Sequence, residues 1–123
     1  TFDIVHRAHI EMLNHAKSLG DYLLVAIDTD SRVKELKGLS RPINNEYDRK
    51  FLLENLKAVD KVVFFDSKEE LIDIIKMYQP DIMVKGSDYK DKPIVGAQYC
   101  KEIKFYEHTG HSTTGIIQRI TDR

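Results

Sequence analysis

Apolar residues in this chain follow two different spacings. Over residues 7–19 they fall at Ile10, Leu13 and Ala16, every third position, which predicts a helix with one buried stripe that ends at Gly20. Tyr22-Leu23-Leu24-Val25-Ala26-Ile27 is instead an unbroken run between Gly20-Asp21 and Asp28. It predicts a strand covered on both faces, as in a parallel sheet. Residues 28–45 are polar and basic at their centre, and predict a loop with a short helical piece over 31–36. Asn45 can cap a helix reaching about residue 57, with Tyr47, Phe51, Leu52 and Leu56 on adjoining parts of one face.

The alternation then repeats. Lys61-Val62-Val63-Phe64-Phe65 predicts a strand, and Ser67 with Glu70 forms a capping-box signal for a helix carrying Leu71, Ile74, Ile75 and Tyr78, closed by Pro80. Residues 81–85 and 103–106 predict two further strands, separated by a loop over 86–95 and a short segment to 101. A last helix is expected from Ser112. Strands alternating with helices predict a parallel α/β sheet, whose ligands gather at the carboxyl ends of its strands.

Composition narrows the class. The chain has 123 residues, 41% hydrophobic and 32% charged, which suits one compact domain over residues 1–123. Its 19 basic and 20 acidic residues leave a net charge of −1, so nothing draws it generally to nucleic acid or an anionic membrane, and a phosphate site has to be local. A single cysteine, Cys100, excludes an internal disulfide and a cysteine-based zinc site, and is compatible with the cytoplasm. No apolar run approaches the ~20 residues needed to span a bilayer.

The candidate chemistry starts at His6-Arg7-Ala8-His9, two imidazoles three residues apart where the first helix should begin. A helix start carries unpaired N–H groups and a partial positive charge, so imidazoles beside it can join in holding a phosphate chain. The alternatives are an exposed polar turn, or a metal pair lacking an acidic third ligand at a fixed offset. His111-Ser112-Thr113-Thr114-Gly115 forms a second, hydroxyl-rich helix start, and two such starts could clamp one polyphosphate.

At these positions the sequence resembles the HxGH nucleotidyltransferase superfamily, whose first motif reads Thr/Cys-Phe-Asp-x-x-His-x-Gly-His and whose last is a Ser/Thr-rich turn opening the final helix. Leu36-Lys37-Gly38, Ser40-Arg41-Pro42, Val84-Lys85-Gly86-Ser87-Asp88-Tyr89 and Gly110-His111-Ser112-Thr113-Thr114 are most similar to the adenylyltransferase domains that make ADP-heptose. The resemblance implies a Rossmann-like three-layer α/β/α domain, with a first strand that would precede Thr1. It also implies transfer of AMP from ATP to a sugar 1-phosphate, D-glycero-D-manno-heptose 1-phosphate being the expected acceptor, with magnesium bridging the phosphates.

By that resemblance His6, His9 and Lys37 are the expected catalytic residues. Thr1, Phe2, His6, His9, Lys85, Gly86, Asp88, Ser112, Thr113 and Thr114 would hold the nucleotide. Lys37, Arg41 and Arg49 would meet the phosphorylated substrate. Asp3 is open between a buried capping role and a contact to the sugar, and no metal ligand is assigned. Lys34, Asp28 and Asp30 are weaker candidates. The family glycine is Ala8 here, an extra methyl at a tight packing point. A homodimer, and fusion to or cooperation with a sugar kinase, are arrangements the resemblance allows.

The second reading is glycerol-3-phosphate cytidylyltransferase, which uses CTP and a polyol phosphate. Its last motif reads Arg-Thr-Glu-Gly-Ile-Ser-Thr, against Glu107-His108-Thr109-Gly110-His111-Ser112-Thr113 here, and the missing arginine favours the heptose reading. A non-catalytic nucleotide-binding module is the alternative from another class, and both histidines argue against it.

Overall fold

A computed structural model describes residues 2–87 and 90–107. Seven of the expected elements start and end within two residues of their predicted limits, and the helix after Asn45 stops three residues early. Helix α1 spans Arg7–Ser18 and strand β1 Leu24–Asp28. Helix α2 covers Asp30–Lys37 and α3 Glu46–Glu54. Strand β2 is Lys61–Phe65, α4 is Lys68–Tyr78, β3 is Ile82–Gly86 and β4 is Glu102–Tyr106, with a 3-10 turn at Ala97–Tyr99. The helix expected from Ser112 lies outside the described residues.

Every strand pairing is parallel: β1 runs beside β2 from Leu24↔Lys61 to Asp28↔Phe65, and β3 beside β4 from Ile82↔Glu102 to Gly86↔Tyr106. Among the described residues the strands form these two pairs, with no ladder joining them. Parallel strands need crossover connections, and α2 with α3, then α4, supply helical ones around β2.

The caps explain why the helices start where they do. Thr29, Asn45 and Ser67 each accept a hydrogen bond from the backbone three residues on, at Arg32, Asp48 and Glu70. Asp60 fixes the far end of α1: its carboxylate takes the Lys17 ammonium at 2.5 Å and the Leu23 N–H at 2.7 Å, and both lower its pKa.

The core gathers Leu13 of α1, Val25 and Ile27 of β1, Leu53 of α3, and Ala58, Val59 and Val62, with Phe2 and Val5 packed against it. Two predicted stripes are corrected by this packing. In α1 the buried positions are Ala8 and Leu13, while Ile10 is exposed. In α3 the buried face is Arg49 and Leu53, one turn apart, and Tyr47, Phe51 and Leu52 face outward. Counting apolar residues alone misplaces that face, because its largest buried side chain is charged. Strand burial is also partial: β1 buries Val25 and Ile27 and leaves Leu24 and Ala26 half-buried.

No described helix is long and apolar enough to cross a membrane.

Candidate active site

Phe2 and Val5 rest on the core and so fix the four residues that lead into α1. Phe2 adopts a positive φ of 53°, uncommon for a residue with a side chain. This turn sends Asp3 inward and His6 to the helix start. His6 is the N-cap, in extended conformation, and its ring stacks on His9 with centroids 3.7 Å apart and planes 22° from parallel. The Phe2 ring lies 4.7 Å from His9.

The His6 backbone N–H donates to Nδ1 of His9 at 3.3 Å. A nitrogen that accepts a hydrogen bond carries no proton, so a neutral His9 ring holds its proton on Nε2, where it can serve as a donor. Ala8 between them is 1% exposed, so the methyl that replaces the family glycine is enclosed by the protein.

Asp3 resolves toward its buried reading. At 1% exposure, its carboxylate accepts the Ile43 N–H at 2.8 and 2.9 Å and the Asn44 N–H at 2.9 Å, with the Arg41 guanidinium 3.9 Å away. The Asn44 side-chain amide donates back to the Asp3 carbonyl at 2.7 Å. Asp3 therefore braces the connection between α2 and α3, and brings Arg41 close to the motif that carries the histidines.

Arg49 departs from the expected phosphate contact. It is 0% exposed, and its guanidinium donates to the Asn44 carbonyl at 3.1 Å, the Asp28 carbonyl at 2.8 Å and the Asp30 carboxylate at 2.8 Å. A buried cation has to be paired and hydrogen-bonded, and this one achieves that inside the protein. Lys37 is exposed on the last residue of α2, and Gly38, at φ 96°, ends that helix in a conformation suited to glycine. Lys34 is exposed one turn earlier.

The carboxyl ends of β1 and β3 meet electrostatically. Lys85, next to last in β3, is half-buried, and burial pushes its pKa below the ordinary lysine value of 10.5, an effect partly opposed by the charge of Asp28 at the end of β1. Asp28 also pairs with Arg32 at 3.3 Å. Gly86 ends β3 and is buried. Thr1, Asp88, Ser112, Thr113 and Thr114 lie outside the described residues, so the second helix start does too.

Two depressions among the described residues, about 410 and 290 Å³, lie elsewhere. One is lined by Gln79, Asp81 and Lys101 at the amino ends of β3 and β4, the other by Ile10, Asn14 and Lys57. No group of three or more His, Cys, Asp or Glu among the described residues could hold a metal ion. Cys100 is half-buried and burial raises its pKa, which suits neither a nucleophile nor a metal ligand. Sequence reasoning missed Asn44 and Glu46. Asn44 meets Asp3 from 41 residues away, and only its place beside a capping asparagine marks it in the sequence.

The fold is an α/β domain of parallel strands with an imidazole pair at the start of its first helix. The chain belongs to the cytidylyltransferase-like family, whose model matches residues 1–119. It is 47% identical over 120 residues to the bifunctional protein HldE of a Nitratiruptor species, and 48% identical over 120 residues to that of Helicobacter pylori. Each match covers 97% of this chain and 26% of the relative, so the chain spans about a quarter of those proteins' length. Its fold is similar to the crystal structure of the lipopolysaccharide core biosynthesis protein from Thermoplasma volcanium. The TM-score is 0.68 and the identity 25%, over 91% of this chain and 93% of that one.

Proposed function

We propose that this chain transfers AMP from ATP to a sugar 1-phosphate, D-glycero-D-manno-heptose 1-phosphate, giving ADP-heptose and pyrophosphate. The observation that carries the reading is the stacked His6–His9 pair at the start of α1, with the proton of a neutral His9 ring placed on Nε2. An oxygen of the acceptor phosphate attacks the α-phosphorus of ATP. The bond from that phosphorus to the bridging oxygen breaks, and pyrophosphate takes the electrons. The protein's task is in-line positioning and stabilisation of the charge that builds on the leaving oxygens.

His9 Nε2–H and the first-turn N–H groups of α1 donate to those oxygens. Lys85 brings a positive charge to the carboxyl end of β3, where Gly86 lets a nucleotide approach the backbone. Lys37 and Arg41 offset repulsion between the two anionic substrates. Thr1, Asp88, Ser112, Thr113 and Thr114 complete the nucleotide site in this reading. Magnesium arrives with ATP and supplies further neutralisation of the phosphates.

Similarity to bifunctional HldE proteins over nearly the whole chain supports a second activity on the same polypeptide, a sugar kinase that would supply the phosphorylated acceptor. In this reading the enzyme works in the cytoplasm.

A pyrophosphate-release assay pairing ATP or CTP with heptose 1-phosphate or glycerol 3-phosphate tests the reading. Release only with ATP and heptose 1-phosphate is the expected result. Release with CTP and glycerol 3-phosphate would overturn it.

A further inference from the structure

The connection between α2 and α3 is exposed along most of its length and gripped at one end. Leu39 is 90% exposed and Ile43 is exposed as well, yet the next residue, Asn44, is held on three sides. Its N–H reaches the Asp3 carboxylate at 2.9 Å, its side-chain amide reaches the Asp3 carbonyl at 2.7 Å, and its own carbonyl takes Nε of Arg49 at 3.1 Å. Arg49 continues the lattice to the Asp28 carbonyl and the Asp30 carboxylate. The Asp30 N–H then donates to the Glu46 carboxylate at 3.0 Å. One run of hydrogen bonds thus joins the segment before His6, the end of β1, the start of α2 and the start of α3.

Polar groups in such a lattice are costly to bury and fix a geometry once every member is satisfied. Here the geometry fixed is that of residues 38–43 relative to the imidazole pair, because Asp3 stands three residues before His6 and holds both Ile43 and Asn44. Arg49 is fully buried with all three of its nitrogens engaged, so a phosphate would have to displace partners inside the protein to reach it.

We propose that Asn44 and Arg49 are positioning residues for the phosphorylated acceptor: through Asp3 and Asp30 they set residues 38–43, Arg41 included, against the start of α1 without touching the substrate. This rests on the transfer reaction proposed above. An arginine acting as phosphate ligand and one acting as brace differ in what they control. A ligand contributes to nucleotide or acceptor affinity directly. A brace governs where the acceptor-facing loop sits, so its loss raises the acceptor KM and loosens the Ile43 and Asn44 amides while nucleotide affinity holds.

The test compares the full protein with Asn44→Ala and Arg49→Lys by steady-state kinetics, ATP titration and amide hydrogen exchange. Asn44→Ala removes only the side-chain bond to Asp3 and keeps the backbone bonds; Arg49→Lys keeps the buried charge and loses the fork. Displacing a loop from its productive place costs roughly tenfold or more in acceptor KM, with the ATP dissociation constant unchanged within about twofold. Faster exchange at residues 43 and 44 should accompany it. An ATP affinity that falls in step with acceptor KM in Arg49→Lys would make Arg49 a phosphate ligand and overturn the inference. So would an acceptor KM in Asn44→Ala equal to the parent's. If the parent itself turns over no phosphorylated acceptor, it is the proposed reaction that fails.

Discussion

His9 offers the sharpest test of the site, because its two nitrogens have different jobs. Nδ1 accepts the His6 N–H at 3.3 Å, which assigns the proton to Nε2, the nitrogen that meets the phosphate in the proposed reaction. Replacement by Ala removes the donor, and removing one preorganised donor to a developing oxyanion costs roughly 100- to 1000-fold in turnover, about 2.7–4 kcal/mol. Gln and Asn separate the two nitrogens. The Gln amide nitrogen reaches close to the position of Nε2, whereas the shorter Asn amide reaches only that of Nδ1, where its oxygen can accept the His6 N–H but no donor extends to the phosphate. His9→Gln should therefore keep part of the rate and His9→Asn should resemble Ala. Single-turnover rates with ATP titrated separately make the measurement, since an interaction that strengthens in the transition state lowers the rate more than it weakens ground-state binding. Unchanged turnover in His9→Ala would remove His9 from the mechanism, and better retention by Asn than by Gln would show that the other nitrogen faces the phosphate.

Leu53, fully buried between α3 and β1, should lose about 2–5 kcal/mol of stability on replacement by Ala, read as a lower urea midpoint. Gly96→Ala meets both a backbone at φ 80° and a Cβ position 2.2 Å from Cδ1 of Ile75. A cost of about 1–3 kcal/mol in thermal unfolding is expected, partly relieved by adding Ile75→Val, which deletes that atom. Lys37→Ala should raise the acceptor KM, with Lys37→Arg a partial rescue because a planar fork replaces a compact ammonium; parent-like constants in Lys37→Ala would leave it a solvated helix terminus. Lys85 has its pKa lowered by burial, so the affinity for ATP should fall with rising pH earlier than an ordinary lysine at 10.5 would dictate. Between the lowered value and 10.5 the unfolded chain binds the proton that the folded chain has lost, so stability rises with pH in that window, and Lys85→Met should abolish both trends.

The element order was legible because it depends on local signals. Ser67 and Asn45 cap helices where the sequence places them, and β2 occupies the expected Lys61–Phe65. Gly38 and Gln79, both at positive φ, end α2 and α4. Boundaries moved where tertiary bonds intervene. The helix expected to reach residue 57 stops at Glu54, because the chain turns there to bring Ala58, Val59 and Val62 onto the core. Hydrophobic periodicity chose the wrong face of α3, and no local pattern could have corrected it, since Arg49 is buried only because Asn44, Asp28 and Asp30 converge on it from outside the helix.

The candidate site divides along the same line. His6 and His9 were identifiable because both sit in one short motif on one helix start, where spacing alone brings them together. Asp3 and Arg49 carry the same kinds of charge that a phosphate site needs, and sequence cannot tell a charge that faces a ligand from one that faces the protein. What separates them is the number of fixed partners. Asp3 is buried and takes the Ile43 and Asn44 N–H groups, and Arg49 is buried with each of its three nitrogens bonded inside the protein, so both are turned toward the scaffold and away from a substrate that comes and goes. Lys37 stays exposed at the end of α2, where its side chain can follow a mobile anion. The fixed charges hold the scaffold still, and the exposed ones are those left to meet the substrate.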